Sequence, residues 1–398
     1  MKILVVTSVF PNSVQPTLGV FVRERMFRVA RHCELKVVAP VPWFPFIGLI
    51  RPGYRPRVPF REMQDGIEVF HPRFFNVPAI FKCLDGFFFF LSALMTVARL
   101  RRSFRFDVID SHFVYPDGLG AVLLGKVFGV PVTITLRGTI RKLSRYLLRR
   151  WQIRYALGCA ERVFTVCEDL KRAATDLGIP SSHVEVVPNG VDLAKFRRVN
   201  REGARRELGL PAEGPIFISV GGLVARKGFH RVIEVLPALR RRFPDLLYVI
   251  VGGPSVEGNF EPELRRQVAE LKLNDAVIFA GAQPHDRLHL WLSAADIFCL
   301  ATSNEGWANV FLEAMACGLP VVTTRVGGNA EVVPSEEYGI LVEYGSRDDL
   351  ERALGHALER RWDRERISAH AAENTWDSRV VQLMGVFGKI CGTGMDAA

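Results

Sequence analysis

The chain has 398 residues, 48% of them hydrophobic, with 52 Lys and Arg against 42 Asp and Glu for a net charge of +10. Such a length and apolar share support two substantial cores and exclude a disordered chain. The basic excess either favours anionic partners (phosphorylated ligands, acidic lipid, nucleic acid) or serves solubility alone.

In chain order, the N-terminal run Ile3–Thr7 reads as a buried strand. It is too short for a secretory leader and no small-residue cleavage site follows it. Pro16-Thr-Leu-Gly19-Val-Phe-Val22 leads into a predicted helix at Val20–Ala30, and a strand is expected at Leu35–Ala39. The longest apolar run, Gly86–Ala98, is a helix too short to span a bilayer. Strand Val108–Ser111 ends at His112, and Pro116-Asp117-Gly118 opens a helix reaching Phe128. Strand Val132–Leu136 runs into Arg137-Gly138; strands Val163–Val166 and Val184–Val187 flank a helix at Asp169–Leu177. Pro188-Asn-Gly-Val-Asp192 and the charged stretch Arg197–Leu208 read as a linker, which puts a boundary near residue 195.

The second half repeats the scheme. Strands are expected at Ile216–Val220, Tyr248–Val251, Val277–Ala280, Ile297–Leu300, Val321–Thr323 and Ile340–Val342, with helices at Phe229–Arg242, Glu263–Leu271 and Arg287–Ser293 between them. Strands that are apolar throughout belong in parallel sheets covered on both faces. The alternation therefore predicts two doubly wound α/β domains, whose ligands bind in a cleft at the carboxyl ends of the strands. The seven cysteines include no Cys-x-x-Cys pair and are odd in number, which disfavours a disulfide framework or a zinc site and favours a reducing compartment.

The densest motif is Glu305-Gly-Trp-Ala-Asn-Val-Phe-Leu-Glu313-Ala-Met-Ala-Cys-Gly318-Leu-Pro320. Residues from about Ala308 to Cys317 have helix-forming composition, with Gly318 as the stop. A helix N-terminus aimed into the cleft suits phosphate, and eight helical residues rise roughly 12 Å, the scale of a ligand with hydroxyls at two ends and a diphosphate between. Carboxylates accept paired sugar hydroxyls well. The plainer alternative makes Glu305 a helix cap and Glu313 part of a solvated face.

This segment resembles the Glu-x7-Glu motif of the family-4 retaining glycosyltransferases, which have the GT-B fold. Other segments resemble the family in the same order: Val220-Gly221-Gly222-Leu223-Val224-Ala225-Arg226-Lys227-Gly228, the Gly19 loop, Arg137-Gly138, Pro188–Asp192 with Phe196, and Val326-Gly327-Gly328-Asn329-Ala330-Glu331. The resemblance spans Met1 to about Val386 and implies an acceptor-binding domain over 1–195, a donor-binding domain over 196–375, and a C-terminal helix from Trp376 that crosses back to the first domain. Glu305 would contact the donor sugar and Glu313 the ribose hydroxyls. The backbone of Gly306, Trp307, Ala308, Asn309 and Val310 would lie near sugar and diphosphate, with Gly221 in the glycine loop and the loop at Gly281 near the base. Lys227 would bind the diphosphate, on which negative charge builds as its bond to the anomeric carbon breaks. Gly222 stands where many relatives carry a diphosphate-binding arginine, and Arg226 is the candidate substitute. Gly19 would let backbone N–H groups approach the diphosphate, and His112 and Arg137 would face the cleft. His112, Lys227 and Glu305 are thus the candidate catalytic groups, with no metal and no cofactor beyond the nucleotide-sugar substrate.

With neither a leader nor a spanning segment expected, the chain reads as cytoplasmic, or attached to the inner membrane surface without crossing it; the resemblance implies a sugar-transferring enzyme with a glycan acceptor, lipid-linked in this reading. Phe87–Leu91, flanked by Lys82 and Arg99–Arg105, the run Arg137, Arg141, Lys142, Arg145, Arg149, Arg150 and Arg154 with Leu147, Leu148 and Trp151, and Trp43-Phe-Pro-Phe46 together fit a face for anionic phospholipid. They equally fit a core helix and a solvated charge run. No nucleic-acid-binding motif is present, so no nucleic-acid partner is expected. An epimerase or phosphorylase on the same fold, or a non-catalytic nucleotide-sugar-binding subunit, are the rival readings.

Overall fold

A computed structural model describes residues 1–45, 57–77, 81–255 and 257–392. The chain divides into two compact units, Met1–Asn189 with Trp376–Ala398, and Gly190–Thr375.

The first unit is built on an eight-stranded sheet. In chain order its strands are β1 (Lys2–Val6), β2 (Glu34–Val38), β4 (Arg61–Gln64), β5 (Ile67–Phe70), β7 (Val108–His112), β8 (Val132–Leu136), β9 (Arg162–Thr165) and β10 (Val184–Val186); β3 (Val41–Trp43) and β6 (Arg73–Phe75) form a separate ribbon. The spatial order is β10-β9-β8-β7-β1-β2-β5-β4, parallel except for the antiparallel β4–β5 hairpin. Central strands are buried on both faces, which is why they read as unbroken apolar runs. The order reverses between β1 and β7, so a crevice opens at their carboxyl ends, beside Thr7, Ser8 and His112. Helices Val20–Val29 and Trp376–Ile390 pack together on one side, burying Val22, Met26, Val380, Leu383 and Phe387 with Phe10 and Phe164. The last helix therefore belongs to the first unit's core.

The second unit has a six-stranded parallel sheet made of β11 (Ile216–Val220), β12 (Leu247–Val251), β13 (Val277–Gly281), β14 (Ile297–Leu300), β15 (Val321–Thr324) and β16 (Gly339–Val342), in the order β13-β12-β11-β14-β15-β16. Its reversal lies between β11 and β14. Both halves are thus doubly wound α/β, the class the alternating pattern predicts.

Three features depart from the sequence reading. The β4–β5 hairpin and the β3–β6 ribbon were not anticipated, because their strands are short and partly polar. The charged stretch expected as linker contains a helix, Arg201–Glu207, capped by Asn200, whose side chain accepts from Gly203 N at 2.8 Å. It is held because buried Arg205 donates to the carbonyls of Ala294, Pro211, Ala212 and Gly214 and to Asp296, so this arginine is an internal tie and not a solvated charge. Finally, Trp43 belongs to β3 and Phe44 packs on Phe75, while Phe46 lies outside the described residues. Among the described residues no helix is long and apolar enough to cross a membrane.

Candidate functional site

In the second unit, β11 ends at Gly221 and the chain turns through Ala225–Lys227 into helix Phe229–Arg242. Gly228 makes that turn possible. Its φ is +76°, and a Cβ there would sit 2.0 Å from the carbonyl oxygen of Ala301 at the end of β14. The two loops are then laced by Ser303 N donating to Arg226 O at 2.8 Å and Thr302 Oγ1 donating to the same oxygen at 3.0 Å. This is the switch point of the second sheet, and it brings Lys227 to Glu305.

Lys227 Nζ lies 2.5 Å from Glu305 Oε1, and Arg226 Nη1 lies 3.1 Å from the same oxygen. Arg226 also grips Glu257 through Nε and Nη2, both at 2.6 Å. That pair of hydrogen bonds to Glu257 is the main reason its guanidinium pKa is raised. Two cations and two carboxylates thus neutralise one another. Glu305 is further fixed from behind: Gly327, at φ +52°, passes so close that a Cβ would lie 1.7 Å from the Glu305 carbonyl oxygen. Gly221 lies beside the Lys227 stem, and Ser255 occupies the space over Gly222, where an added Cβ would meet its Cβ at 3.0 Å.

Beyond Gly306 and Trp307 the helix starts at Asn309, with Ala308 at its N-cap position, and runs to Ala316. No side chain caps it at Ala308, and Phe311 N donates back to Ala308 O at 3.0 Å, so the helix turns the positive end of its dipole here towards no side-chain acceptor. The Trp307 indole N–H is buried and has no hydrogen-bond partner among the described residues. Glu313 does not join the Lys227 cluster. Its Oε1 lies 3.7 Å from His285 Nε2, and His285 stands edge-on to Phe196 in the loop that follows Gly281. The two glutamates therefore stand in two separate settings, one by the cations and one by the β13 loop.

In the first unit, His112 is fully buried at the end of β7. Its Nδ1 accepts from Arg137 (Nη2 at 3.0 Å), and its Nε2 lies 3.3 Å from Asp110 Oδ2. The proton therefore belongs on Nε2. Burial, reinforced by the Arg137 charge, brings the ring's pKa down to about 4, so it stays neutral at physiological pH. Both ring nitrogens face protein partners, so His112 orients Arg137 in this arrangement. Arg137 Nη1 and Arg25 Nη2 both donate to Asn189 Oδ1 at 3.1 Å, which puts two guanidinium groups, that of Arg25 buried and that of Arg137 partly so, around the Pro188-Asn-Gly turn. Gly19 is the residue before helix Val20–Val29, at φ +70°.

Asp117 was not singled out in the sequence, although it stands in Pro116-Asp117-Gly118. It is fully buried and accepts from Ser8 N at 2.9 Å, Ser8 Oγ at 2.7 Å and Thr7 Oγ1 at 3.1 Å, fixing the loop after β1. Burial outweighs these donors and raises its pKa to about 7. A raised carboxyl pKa contributes stability that is full below its ordinary value near 3.8 and is lost as pH rises through about 7. The unfolding free energy should therefore fall across that window by up to about 1.4 kcal/mol per pH unit from this group. Asp117→Asn should flatten the fall, as read by denaturant melts from pH 4 to 8; an unchanged slope would refute the assignment.

Two family descriptions match the chain: Glycosyltransferase Family 4 over residues 33–195 and Glycosyl transferases group 1 over residues 200–374. A D-inositol 3-phosphate glycosyltransferase of Acidothermus cellulolyticus is 34% identical over 310 residues, 69% of this chain and 68% of the relative. A Bacillus subtilis protein named for teichuronic acid biosynthesis, TuaC, is 28% identical over 363 residues, covering 89% and 88%. Among solved structures, Anabaena Alr3699/HepE in complex with UDP matches with a TM-score of 0.74 at 20% identity, over 98% of this chain and all of that one.

Proposed function

Since the chain belongs to glycosyltransferase family 4 and has the GT-B fold, we propose that it moves a sugar from a nucleoside diphosphate sugar to a lipid-linked glycan, with retention, during cell-surface polysaccharide assembly. The observation that carries this reading is the Lys227–Glu305 contact at the switch point of the second sheet. A diphosphate arriving there competes with Glu305 for Lys227. As it wins, the carboxylate is released towards the sugar hydroxyls. Cations and carboxylate thus hold each other in place until the donor separates them.

In this reading Lys227 and Arg226, aided by the N-terminus of helix Asn309–Ala316, meet the charge that develops on the leaving diphosphate, and no metal is assigned. Glu313, beside the β13 loop and its His285, takes the ribose hydroxyls. The first unit binds the acceptor, with Arg137 as its oriented cation. The departing phosphate receives the acceptor's proton on the face it leaves, which gives retention without a separate protein base. The HepE complex makes UDP the first nucleotide to try, and the TuaC match favours a polymer of the envelope, built at the cytoplasmic face of the membrane.

The test is a thermal-shift panel of nucleotide sugars followed by transfer assays with the best binder. Failure of every nucleotide sugar to stabilise the protein at saturation would overturn the reading. Donor turnover without an acceptor would point to an epimerase, phosphate-dependent turnover to a phosphorylase, and binding with neither transfer nor hydrolysis to a non-catalytic subunit. Within the reading, Glu313→Ala should weaken nucleotide binding by about tenfold, the worth of one charge-assisted hydrogen bond, with little change in kcat. Titration of the nucleoside diphosphate alone measures it.

A further inference from the structure

A helix packed on a sheet ordinarily turns its polar stripe outward. Helix Asp85–Ser103 does not. One side buries Phe89, Ala93, Val97 and Leu100, while Leu84, Phe87, Leu91 and Met95 recur every three or four positions on the other and are exposed, Met95 by 62%. Helix Leu147–Cys159 behaves alike at its start, where Leu147 is 82% exposed and Trp151, stacked on Tyr155, 68%. The second helix comes up to the start of the first. Gln152 Nε2 donates to Cys83 O at 2.9 Å, Arg149 lies close enough to Asp85 to act on its charge, and both helices pack on the turn Val114–Gly118. The exposed apolar side chains at the starts of the two helices therefore lie on one side of the unit, and Leu91 and Met95 continue the first helix's row.

Charge sets what the patch can meet. No Asp or Glu occurs from Arg137 to Ala160, a stretch holding seven Lys and Arg, and Asp85 is the sole acid from Phe81 to Phe106. Asp85 is itself buried and bound to Lys82. Apolar side chains among cations, with no exposed acid in either segment and Asp169 and Asp176 paired to Arg141, complement a surface that is apolar inside and anionic outside.

We propose that this patch docks the enzyme on an anionic phospholipid bilayer, with Phe87, Leu91, Leu147, Leu148 and Trp151 entering the interface and Arg145, Arg149 and Arg150 contacting phosphate groups. The inference extends the reading of a lipid-linked acceptor: an enzyme held at the bilayer meets such an acceptor in two dimensions.

The experiment is flotation of the full chain with vesicles of phosphatidylglycerol and phosphatidylcholine, against phosphatidylcholine alone. The wild type should bind the anionic vesicles at least about tenfold more tightly than the neutral ones, and added salt should release part of it. Leu148→Glu/Trp151→Glu should lower binding to anionic vesicles by on the order of a hundredfold. Its melting temperature and its affinity for UDP should match the wild type, since both side chains are exposed and neither belongs to the second unit. Equal binding to both vesicle types, or an undiminished variant, would overturn the proposal. So would absence of vesicle binding by the wild type; a dimer abolished by the double substitution would then make the patch a protein interface. Vesicle binding without any nucleotide binding would leave docking intact and sink the transferase reading instead.

Discussion

Replacing Glu305 with alanine is expected to lower kcat by about 10²–10³-fold while affinity for free UDP stays the same or rises. The asymmetry follows from the contacts. Glu305 Oε1 holds Lys227 at 2.5 Å and Arg226 at 3.1 Å. Its removal frees Lys227 for a diphosphate and leaves Arg226 held by Glu257 alone, and with it goes the acceptor this reading offers to the sugar. Glu305→Gln keeps a hydrogen-bonding oxygen but not the charge, so its kcat should fall between wild type and alanine. Steady-state transfer and titration with UDP separate the two quantities. Loss of UDP affinity in step with turnover would contradict the division of labour between Glu305 and the cations.

The second large effect is expected from a position without a side chain. Gly327→Ala combines a left-handed backbone, φ +52°, with a Cβ that would overlap the Glu305 carbonyl oxygen at 1.7 Å. The conformation alone costs about 1–2 kcal/mol, and moving the Glu305 backbone brings the total to roughly 3 kcal/mol. For a unit of this size that is a Tm lower by roughly 6–12 °C. Activity should fall further than stability, because the displaced segment carries Glu305. Gly345→Ala is the control: its φ is +98°, but no atom lies within 4 Å of the added carbon. It should cost about 1 kcal/mol and leave transfer unchanged. Equal losses at both positions would mean that backbone strain, and not the approach to Glu305, explains Gly327.

The parts of this molecule legible in the sequence are those whose cause is local. The central strands announce themselves because both faces are buried, so β1, β8 and β11 have no polar alternation to disguise them. Helix Phe229–Arg242 was readable to the residue from its periodicity. The β4–β5 hairpin was not, although Asp65-Gly66, both at positive φ, is the two-residue signal for such a turn. Helix Arg201–Glu207 was hidden because Arg205 looks like solvated charge until its carbonyl partners are in view: Pro211, Ala212 and Gly214 lie six to nine residues on, but Ala294, at the end of the helix before β14, is brought in by the fold. At the site, the motifs named Lys227 and Glu305, but only the fold puts them in contact. The buried Asp110 and Asp117 left a weaker trace: Asp110 interrupts an apolar strand, and Asp117 opens a helix after a strand end, positions where an acid has a structural or chemical reason to be.

The return of helix Trp376–Ile390 to the first core has a bearing on biosynthesis. Phe10, Val22 and Phe164 leave the ribosome before the second unit, yet the side chains that cover them, Val380, Leu383 and Phe387, are made only after it. The second unit is continuous, and its ends meet, Val191 N donating to Asn374 O at 2.9 Å. It can close while the first unit still exposes an apolar sheet face. The usual N-to-C order of domain maturation is thereby inverted. A nascent chain stalled before Trp376 carries a finished second unit and an unfinished first one, the species on which chaperones or proteases would act first.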